Sequence, residues 1–201
     1  MKILAFTDIH GSYSALRRIE QKAKSQNIDA IVCTGDITIF QNGIRFILGR
    51  LNKLGKKVIM VHGNHEDEKT FRKYSKFLHN IIYIHERHFT LKDKVFLGYG
   101  GGGFSDVDEK LEHIAKSKFK KIINSNRNKK IILLTHAPPY RTKLDRLASG
   151  YCGNKTLRHF LEKNRIDLLI CGHIHENFGK EGRIKKTRIL NPGPFGRFVE
   201  V

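Results

Sequence analysis

Short apolar runs in this chain repeatedly end at a small group of polar residues. The runs have the length and composition of buried strands, and several segments between them carry the apolar spacing of amphipathic helices. An alternation of strand and helix predicts an α/β protein with parallel βαβ units and right-handed crossovers. Five polar blocks follow the predicted strands in order: Asp8-Ile9-His10, Gly35-Asp36, Gly63-Asn64-His65-Glu66, Thr135-His136-Ala137 and Gly172-His173-Ile174-His175.

The predicted elements are spread along the whole chain. Strands are expected at 3–6, 29–33, 58–61, 131–134, 168–171, 188–190 and 197–201. Residues 81–98 hold three short, closely spaced runs, which favour hairpin-like strands. Helices are expected at five places: after Ser12 or Ser14, over 44–54 with Gly55 as C-cap, through Phe71 to Phe77, from a capping box at Asp106 and Glu109 with Val107 on its apolar face, and around Leu157 to Leu161. Because no linker, repeat or low-complexity tract is present, residues 1–201 are expected to form one domain.

Composition restricts the class of protein. A chain of 201 residues with 39% hydrophobic residues is long enough for one well-buried core. No apolar run approaches the roughly 18 residues of a membrane span, and the first strand begins so early that no secretory signal is expected. The three cysteines, Cys33, Cys152 and Cys171, form no CxxC pair, which predicts a reduced protein of the cytoplasm.

The formal net charge of +19 is the second unusual feature of the chain. Lysine and arginine are dense at 53–57, 116–130 and 180–188. A field of this sign attracts polyanions such as RNA or DNA. A lysine-rich solvated surface of a heat-adapted protein has the same composition, and neither a recognition motif nor an aromatic stacking ladder accompanies the basic runs. The charge therefore leaves nucleic-acid binding as an open alternative.

The five polar blocks have the chemistry of a metal site. Carboxylate oxygen and imidazole nitrogen suit divalent cations such as Mn²⁺, Zn²⁺ and Fe²⁺. In an open α/β sheet, ligands bind beyond the carboxyl ends of the strands, so blocks on strands of one sheet would meet at one edge. Gly35, Gly63 and Gly172 each precede a ligand, where a tight turn or close backbone approach is expected. The blocks together predict a two-metal hydrolytic site rather than a single structural ion.

The ordered pattern D-x-H, GD, GNH[DE], H and GHxH resembles that of the calcineurin-like metallophosphoesterase superfamily, and the resemblance extends from Asp8 to Pro192. The stretches at 135–139 and 171–176, with the Asn191-Pro192-Gly193 turn, are similar to its small phosphodiesterase-like branch. The resemblance implies a four-layer αββα sandwich, in which two mixed β-sheets are flanked by helices and the site lies at their upper edge.

The same resemblance implies a role for each block. The expected metal ligands divide between two ions, with Asp36 shared: Asp8, His10, Asp36 and His175 for one, and Asn64, His136 and His173 for the other. A hydroxide bridging the two metals would attack phosphorus, and the shared carboxylate would offset the repulsion between the cations. His65 would be the catalytic residue that protonates the leaving oxygen or stabilises the transition state.

The chain departs from some branches of the superfamily. Glu66 follows His65 where many members have Asp. Asp36 is followed by Ile-Thr-Ile, without the additional acid and arginine pattern of the protein serine/threonine phosphatases. The large insertions of the DNA-repair nucleases are absent as well. Protein phosphatase and double-strand-break nuclease are therefore disfavoured.

The predicted function is that of a metal-dependent phosphoesterase, with a phosphodiesterase favoured over a phosphomonoesterase of broad specificity. Two divalent metal ions are the expected cofactors, with Mn first and Zn, Fe, Ni or Mg as alternatives. The expected substrate is a phosphate ester, and nucleotides and nucleic acid stay open. A nucleic-acid-directed nuclease or binder and a non-catalytic scaffold on the same fold are the remaining alternatives, and the intact Gly-Asn-His and Gly-His-x-His blocks argue against the scaffold. Neither the metal's identity nor the oligomeric state follows from the sequence.

Overall fold

The protein is described by a computed structural model of residues 1–201, with thirteen β-strands and six α-helices. The strands are β1 Lys2–Phe6, β2 Ala30–Cys33, β3 Val58–Met60, β4 Ile81–Tyr83, β5 Arg87–Leu91, β6 Lys94–Tyr99, β7 Lys130–Thr135, β8 Arg146–Leu147, β9 Gly150–Tyr151, β10 Leu168–Ile170, β11 Glu181–Ile184, β12 Thr187–Leu190 and β13 Arg197–Glu200. The helices are α1 Tyr13–Ser25, α2 Ile44–Asn52, α3 Glu68–Ser75, α4 Glu109–Ile114, α5 Lys120–Ser125 and α6 Lys155–Lys163. A π-helical turn, Ala115–Phe119, joins α4 to α5, and a 3₁₀ turn covers His175–Asn177.

The strands form two large sheets and one short hairpin. The first sheet has the order β13-β1-β2-β3-β4, and its pairs are parallel except for β13 with β1. The second sheet has the order β11-β12-β10-β7-β6-β5, with antiparallel pairs at both edges and parallel pairs between them. The hairpin consists of β8 and β9, which pair with each other.

Alternating side chains on the central strands produce four layers. On β1, Ile3 and Ala5 join the apolar cluster between the two sheets, while Leu4 and Phe6 join the cluster beneath α1–α3. The outer face of the second sheet packs in the same way against α4–α6. Since the centre of each sheet is covered on both faces, the central strands are apolar throughout rather than alternating. The predicted four-layer αββα sandwich is confirmed.

Local signals explain where several helices begin. Ser12 caps α1 by accepting the backbone N–H of Ala15 at 3.3 Å, as the sequence predicted. Asp67 and Asn154 cap α3 and α6 in the same manner. None of the helices is both long and apolar enough to cross a membrane.

Two helix ends and one helix start differ from the predictions. The C-cap of α2 is Lys53, and Gly55 lies in the turn beyond it with φ of +69°. The third helix ends before Phe77, whose side chain is exposed. The cap of α4 is Asp108 rather than Asp106, because Asp108 accepts the N–H of Leu111 at 2.8 Å. Val107, expected on the apolar face of that helix, therefore precedes it and is exposed.

The hairpin expectation for residues 81–98 is correct for only two of the three strands. Strands β5 and β6 form an antiparallel pair. Strand β4 instead pairs in parallel with β3 and ends the first sheet. The chain thus changes sheets between β4 and β5, which a local pattern of short strands does not reveal. The strands β8, β9 and β11 were also not predicted.

Candidate metal centre

The five polar blocks meet at one edge shared by the two sheets. The blocks that contain His10, Asp36 and Asn64 follow β1, β2 and β3 of the first sheet. The blocks that contain His136 and His173 follow β7 and β10 of the second sheet. The candidate ligands are therefore divided between the two sheets and meet at their shared edge, as the resemblance implied. Face-to-face packing of two sheets, each with its carboxyl ends at this edge, brings the two ligand sets together.

The first group of donors comes from both ends of the chain. His10 Nε2 and His175 Nε2 face each other at 3.2 Å, and Asp8 Oδ1 lies 3.8 Å from the first and 3.5 Å from the second. The carboxylate is held in turn by the hydroxyl of Thr7 at 2.6 Å and by the backbone N–H of His173 at 3.0 Å. Three ligand atoms that converge in this way form a candidate cation site.

The second group surrounds the buried imidazole of His136. The Nδ1 atom lies 2.8 Å from the carbonyl oxygen of Thr34. Because a carbonyl can only accept, Nδ1 carries a proton, and Nε2 is the nitrogen that faces the centre and can bind a metal ion once its own proton is lost. Nε2 lies 2.9 Å from Asn64 Oδ1 and 3.3 Å from Asp36 Oδ2. The ring is therefore fixed in the tautomer that a metal ligand needs.

Asp36 lies between the two groups of donors. Its Oδ2 is 3.3 Å from His136 Nε2 and 3.6 Å from His10 Nε2. Its other oxygen, Oδ1, accepts the backbone N–H of His65 at 2.9 Å. One oxygen of this carboxylate faces both groups, while the second anchors the residue to the neighbouring block.

The imidazole of His173 shows that the site suits a cation. Its Nε2 is buried and has no hydrogen-bond partner, and its ring lies 5.1 Å from that of His136. An unpartnered buried nitrogen costs free energy, whereas coordination of a divalent metal would satisfy it. Together with the buried carboxylates and the amide oxygen of Asn64, this donor set fits divalent cations.

Four residues of the site hold a backbone conformation that L-residues rarely adopt. The φ angles are +51° at Asp8, +43° at His10, +50° at Asp36 and +72° at His173. Each such residue costs on the order of 1–3 kcal/mol and persists only where the surroundings enforce it. Strain of this kind clusters at functional sites, and here it lies in three of the five blocks, where each leaves its strand.

Buried carboxylates set the electrostatics of the site. Burial alone would raise the pKa of Asp8, but the contacts with His10 and His175 outweigh it and lower that pKa. Burial would lower the pKa of His136, but the adjacent Asp36 carboxylate raises it to about 9. Burial lowers the pKa of His173 to about 4. The carboxylates thus stay ionised and attract positive charge, which a divalent cation supplies.

Three glycines allow the blocks to approach each other closely. A Cβ on Gly63 would lie 2.0 Å from Asp36 Oδ1, and a Cβ on Gly172 would lie 2.3 Å from Asp8 Oδ2. Gly35, with φ of +98°, packs directly on the backbone of Gly63, where a Cβ would lie 2.2 Å from the amide nitrogen. The close approach expected at these positions is confirmed.

We expect Gly63→Ala to weaken Mn²⁺ binding roughly 10- to 100-fold, the usual size of effects from residues that support metal ligands. The added methyl group would displace the Asp36 carboxylate. Isothermal titration calorimetry measures the change. Gly49→Ala on α2 is the matched control, because a Cβ there meets nothing within 4 Å. Equal metal affinity in the two variants would contradict this role of Gly63.

Glu66 holds the second and third blocks together, although from the sequence it was only a departure from the family pattern. Its Oε2 accepts the backbone N–H groups of Asp36 and Gly63, both at 3.1 Å. Its Oε1 accepts the N–H and the hydroxyl of Thr38 at 2.9 and 2.7 Å. Burial raises the pKa of this carboxyl, and the hydrogen bonds oppose that rise. Glu66 is a positioning residue whose only sequence signal was its place after His65.

His62 and His85, which lie outside the catalytic and ligand assignments, form a buried polar network beside the 100–103 loop. Tyr83 Oη lies 2.7 Å from His62 Nδ1, and the two imidazole rings are 4.7 Å apart. His85 Nδ1 accepts the N–H of Gly100 at 2.9 Å. The proton of this ring is therefore on Nε2, which lies 3.1 Å from Glu86 Oε1. The network ties β4 and the segment after it to the loop that borders the site.

The buried His85 makes stability depend on pH. Burial lowers the pKa of His85 below the ordinary 6.5. The contribution of this residue to the free energy of unfolding is therefore fully present above pH 6.5. It is lost as the pH falls below that value, because the unfolded chain binds the proton more readily than the folded protein does. Between about pH 7.5 and about pH 5 the loss is at most about 2 kcal/mol. Urea unfolding of the wild type and the non-titrating His85→Gln at both pH values measures it. The stability difference between the two should shrink at the lower pH, and a constant difference would contradict the account.

An open cavity of about 320 Å³ lies over the ligand atoms. Two exposed phenylalanine rings lie against site histidines at its rim: Phe104 is 4.5 Å from the ring of His173, and Phe40 is 4.6 Å from the ring of His65. No lysine or arginine lines the cavity, and Glu176 adds a carboxylate to its wall. The basic charge of the chain therefore lies outside the cavity itself.

Known proteins share both the sequence pattern and the fold. Residues 1–177 match a family model described as calcineurin-like phosphoesterase. The chain belongs to this family. It is also 31% identical over 208 residues to the uncharacterized protein MJ1162 of Methanocaldococcus jannaschii, a match that covers 99% of this chain and 91% of the relative. The predicted superfamily is confirmed, and the protein is a metal-dependent phosphoesterase.

Solved structures resemble this phosphoesterase across most of its length. TT1561 of Thermus thermophilus matches with a TM-score of 0.74 and 18% identity, covering 96% of this chain and 88% of that one. A dimetal phosphatase from Danio rerio matches with a TM-score of 0.66 and 12% identity, covering 94% and 86%. At these identities the likeness establishes the shared fold.

Proposed function

We propose that this phosphoesterase is a phosphodiesterase whose site holds two divalent cations, with Mn²⁺ as the expected ion. The observation that carries the proposal is the position of Asp36, since one of its oxygens faces His10 on one side and His136 on the other. Two cations about 3.5–4 Å apart repel each other, and a shared carboxylate offsets that repulsion. A dimetal phosphatase among the structures of the same fold supports the pair of ions.

The proposed ligands divide as the two donor groups do, with Asp36 shared: Asp8, His10, Asp36 and His175 for one cation, and Asn64, His136 and His173 for the other. When bound, the cations lower the pKa of a water molecule and neutralise charge on the phosphoryl oxygens. Hydrogen bonds from other residues of the chain orient the proposed ligand side chains. The Thr34 carbonyl fixes the tautomer of His136, and the Thr7 hydroxyl orients the carboxylate of Asp8.

His65 is the proposed catalytic acid. Its backbone N–H donates to Asp36 Oδ1, which fixes the residue beside the shared carboxylate. Its ring lies 4.7 Å from that of His10 and 4.6 Å from that of Phe40. The side chain also lines the cavity over the ligand atoms. From this position the imidazole can give a proton to the leaving oxygen of the ester.

The charge of the cavity favours a diester over a monoester. A phosphomonoester carries about −1.5 to −2 charges at pH 7, because its second pKa is about 6, whereas a diester carries a single charge. No lysine or arginine lines the cavity, and Glu176 opposes a second negative charge. Phe40 and Phe104 supply apolar surface on which the second ester substituent can rest. Each feature suits a substrate with two ester groups.

Hydrolysis of two chromogenic substrates under Mn²⁺ tests the proposal. We expect a higher kcat/KM for bis-p-nitrophenyl phosphate than for p-nitrophenyl phosphate. A strong preference for the monoester would instead identify a phosphomonoesterase on the same site. Absence of hydrolysis of both esters would contradict the catalytic assignment as a whole.

Replacement of the proposed acid should affect the rate and leave the metals in place. We expect His65→Ala to lower kcat for the diester by roughly 10²–10⁴-fold, the usual contribution of a positioned general acid, with unchanged metal content. His79→Ala is the matched control, because His79 is exposed and lies outside the site. Steady-state kinetics with metal analysis of the same samples measures both quantities. A rate for His65→Ala equal to that of the control would exclude the proposed role.

A further inference from the structure

A second cavity, strongly basic, lies beside the metal centre. Its volume is about 380 Å³, no acidic side chain lines it, and its charged and aromatic lining consists of Arg141, Lys143, Arg146, Tyr151 and Arg183. We propose that this basic groove binds single-stranded nucleic acid and leads its backbone to the metal centre. The hydrolytic part of this inference rests on the proposed phosphodiesterase function, while binding in the groove does not.

The groove is built on a rigid loop. The residues between β7 and α6 fold around Asp145, which is fully buried. Its carboxylate accepts the backbone N–H groups of Arg141 at 2.9 Å, Thr142 at 2.6 Å and Gly153 at 3.0 Å. A carboxylate that accepts three backbone donors fixes a loop that has little regular structure of its own. The cationic side chains of the loop are therefore presented from a fixed frame rather than from a mobile segment.

The same loop connects the groove to the metal centre. Arg146 and Leu147 are neighbours on β8, so their side chains point to opposite faces. The first lines the basic groove and the second lines the cavity over the ligand atoms. The buried amide of Asn177, two residues after His175, donates to the backbone carbonyls of Leu144 and Arg146 at 2.9 and 3.2 Å. The groove and the metal centre therefore lie on opposite sides of one short hairpin. Because a paired strand is only about 5 Å wide, the two are close together.

Aromatic side chains lie beside the cations of the groove, with Tyr151 in its lining and Tyr140 next to it. Tyr151 is 42% exposed, and the guanidinium of Arg146 lies 4.8 Å from the centre of its ring. The ring of Tyr140 is 6.2 Å from that of Tyr151, and the guanidinium of Arg141 lies 5.6 Å from Tyr140. Cations that follow a phosphate backbone, combined with aromatic rings on which bases stack, are the features of single-strand binding. A duplex keeps its bases stacked inside and cannot use such a ring.

A larger basic cavity elsewhere on the protein lacks these features. It lies between the α4–α5 segment and α6, with a volume of about 620 Å³, and contains Lys116, Lys120 and Lys163. Its phenylalanine, Phe160, is buried, and no tyrosine lines it. None of its lining residues is a chain neighbour of a residue that lines the cavity over the metal ligands, as Arg146 is of Leu147. This helix groove provides a control surface that is also positively charged.

Anisotropy of a short fluorescein-labelled oligothymidylate on the full chain, without added divalent cation, tests the binding. We expect binding at low salt that weakens linearly on a logarithmic salt scale. Arg146→Ala with Arg183→Ala should reduce that slope by about 1.4, since each phosphate contact on a single strand contributes about 0.7. The matched control, Lys120→Ala with Lys163→Ala, should leave slope and affinity at wild-type values. Equal losses in the two double variants, or no binding at low salt, would overturn the proposal.

Substitutions of Tyr151 test separately whether a base stacks on its ring. Tyr151→Ala should weaken binding roughly fivefold to a hundredfold, the range for loss of one base–aromatic stack, whereas Tyr151→Phe should bind as the wild type does. The duplex with oligoadenylate should bind more weakly than the single strand. A duplex bound as tightly, or a Tyr151→Ala protein of unchanged affinity, would overturn single-strand recognition.

Hydrolysis of a long and a small diester distinguishes the role of the basic groove from that of the metal centre. With Mn²⁺, the Arg146 and Arg183 double variant should cleave oligothymidylate more slowly than the wild type and hydrolyse bis-p-nitrophenyl phosphate at the wild-type rate. Groove-dependent binding without hydrolysis of either diester would overturn the phosphodiesterase proposal and leave the binding surface intact. Hydrolysis of the small diester without oligonucleotide binding would overturn the groove and leave the phosphodiesterase proposal intact.

Discussion

Asp36→Asn should lower Mn²⁺-dependent diester hydrolysis by roughly 10⁴-fold or more, because charge stabilisation worth several kcal/mol and the activation of water are lost together. The asparagine carbonyl can still accept the N–H of His65 in place of Oδ1. Its NH₂ group then occupies the position of Oδ2, which faces His10 and His136. The substitution would therefore place an uncharged N–H group at the position where both proposed metal ions need a shared carboxylate oxygen.

The fold should tolerate this change, since the amide has the shape of the carboxylate. Asp93→Asn is the matched control, because Asp93 is an exposed carboxylate that pairs with Lys94 away from the site. Steady-state kinetics and metal analysis of both variants measure the effect. Full hydrolytic activity in Asp36→Asn would exclude the shared-ligand role on which the proposed function depends.

Glu66→Ala should lower the free energy of unfolding by about 3 kcal/mol or more. The substitution removes the acceptor for three backbone N–H groups and one hydroxyl, at Asp36, Gly63 and Thr38, and each buried unsatisfied donor costs about 1–3 kcal/mol. For a chain of this size, 3 kcal/mol corresponds to a decrease in Tm of about 6–12 °C. Calorimetry or thermal denaturation followed by circular dichroism measures the change.

Glu66→Gln is the informative companion to Glu66→Ala. Its carbonyl can serve Asp36 and Gly63, while its NH₂ group faces Thr38, whose hydroxyl can turn to accept. We therefore expect a smaller loss of stability than in Glu66→Ala. Glu66→Ala should also bind Mn²⁺ roughly 10- to 100-fold more weakly, since the backbone that carries Asp36 is no longer held, whereas Glu66→Gln should lose less affinity. Wild-type stability and metal affinity in Glu66→Ala would contradict the positioning role.

The candidate ligand residues could be selected from the sequence because the signal for them is local. An apolar run that ends in Gly-Asp or Gly-His-x-His specifies a strand and the polar group beyond it within a few residues. The glycines followed from the same local reasoning, and the Cβ clashes at Gly63 and Gly172 confirm it. The αββα layering was implied by the resemblance to the family rather than by periodicity alone.

The features that were missed depend on contacts between distant parts of the chain. The parallel position of β4 beside β3 depends on which strands pair. The role of Glu66 depends on a backbone donor 30 positions away along the chain. Tyr151 of the basic groove lies in a loop without helix periodicity, and Arg183 joins it only in the fold. Reasoning from runs of charge therefore overlooked a basic groove that contains an exposed tyrosine.

The measurement that tests the central claim most directly is diester hydrolysis followed while metal-free protein is reconstituted with Mn²⁺. Bound metal and the rate with bis-p-nitrophenyl phosphate are determined on the same samples. We predict no hydrolysis by the metal-free protein and a full rate when two ions are bound per chain, as expected for a two-metal site. Full activity without metal, or no hydrolysis of the diester with both ions bound, would contradict the account.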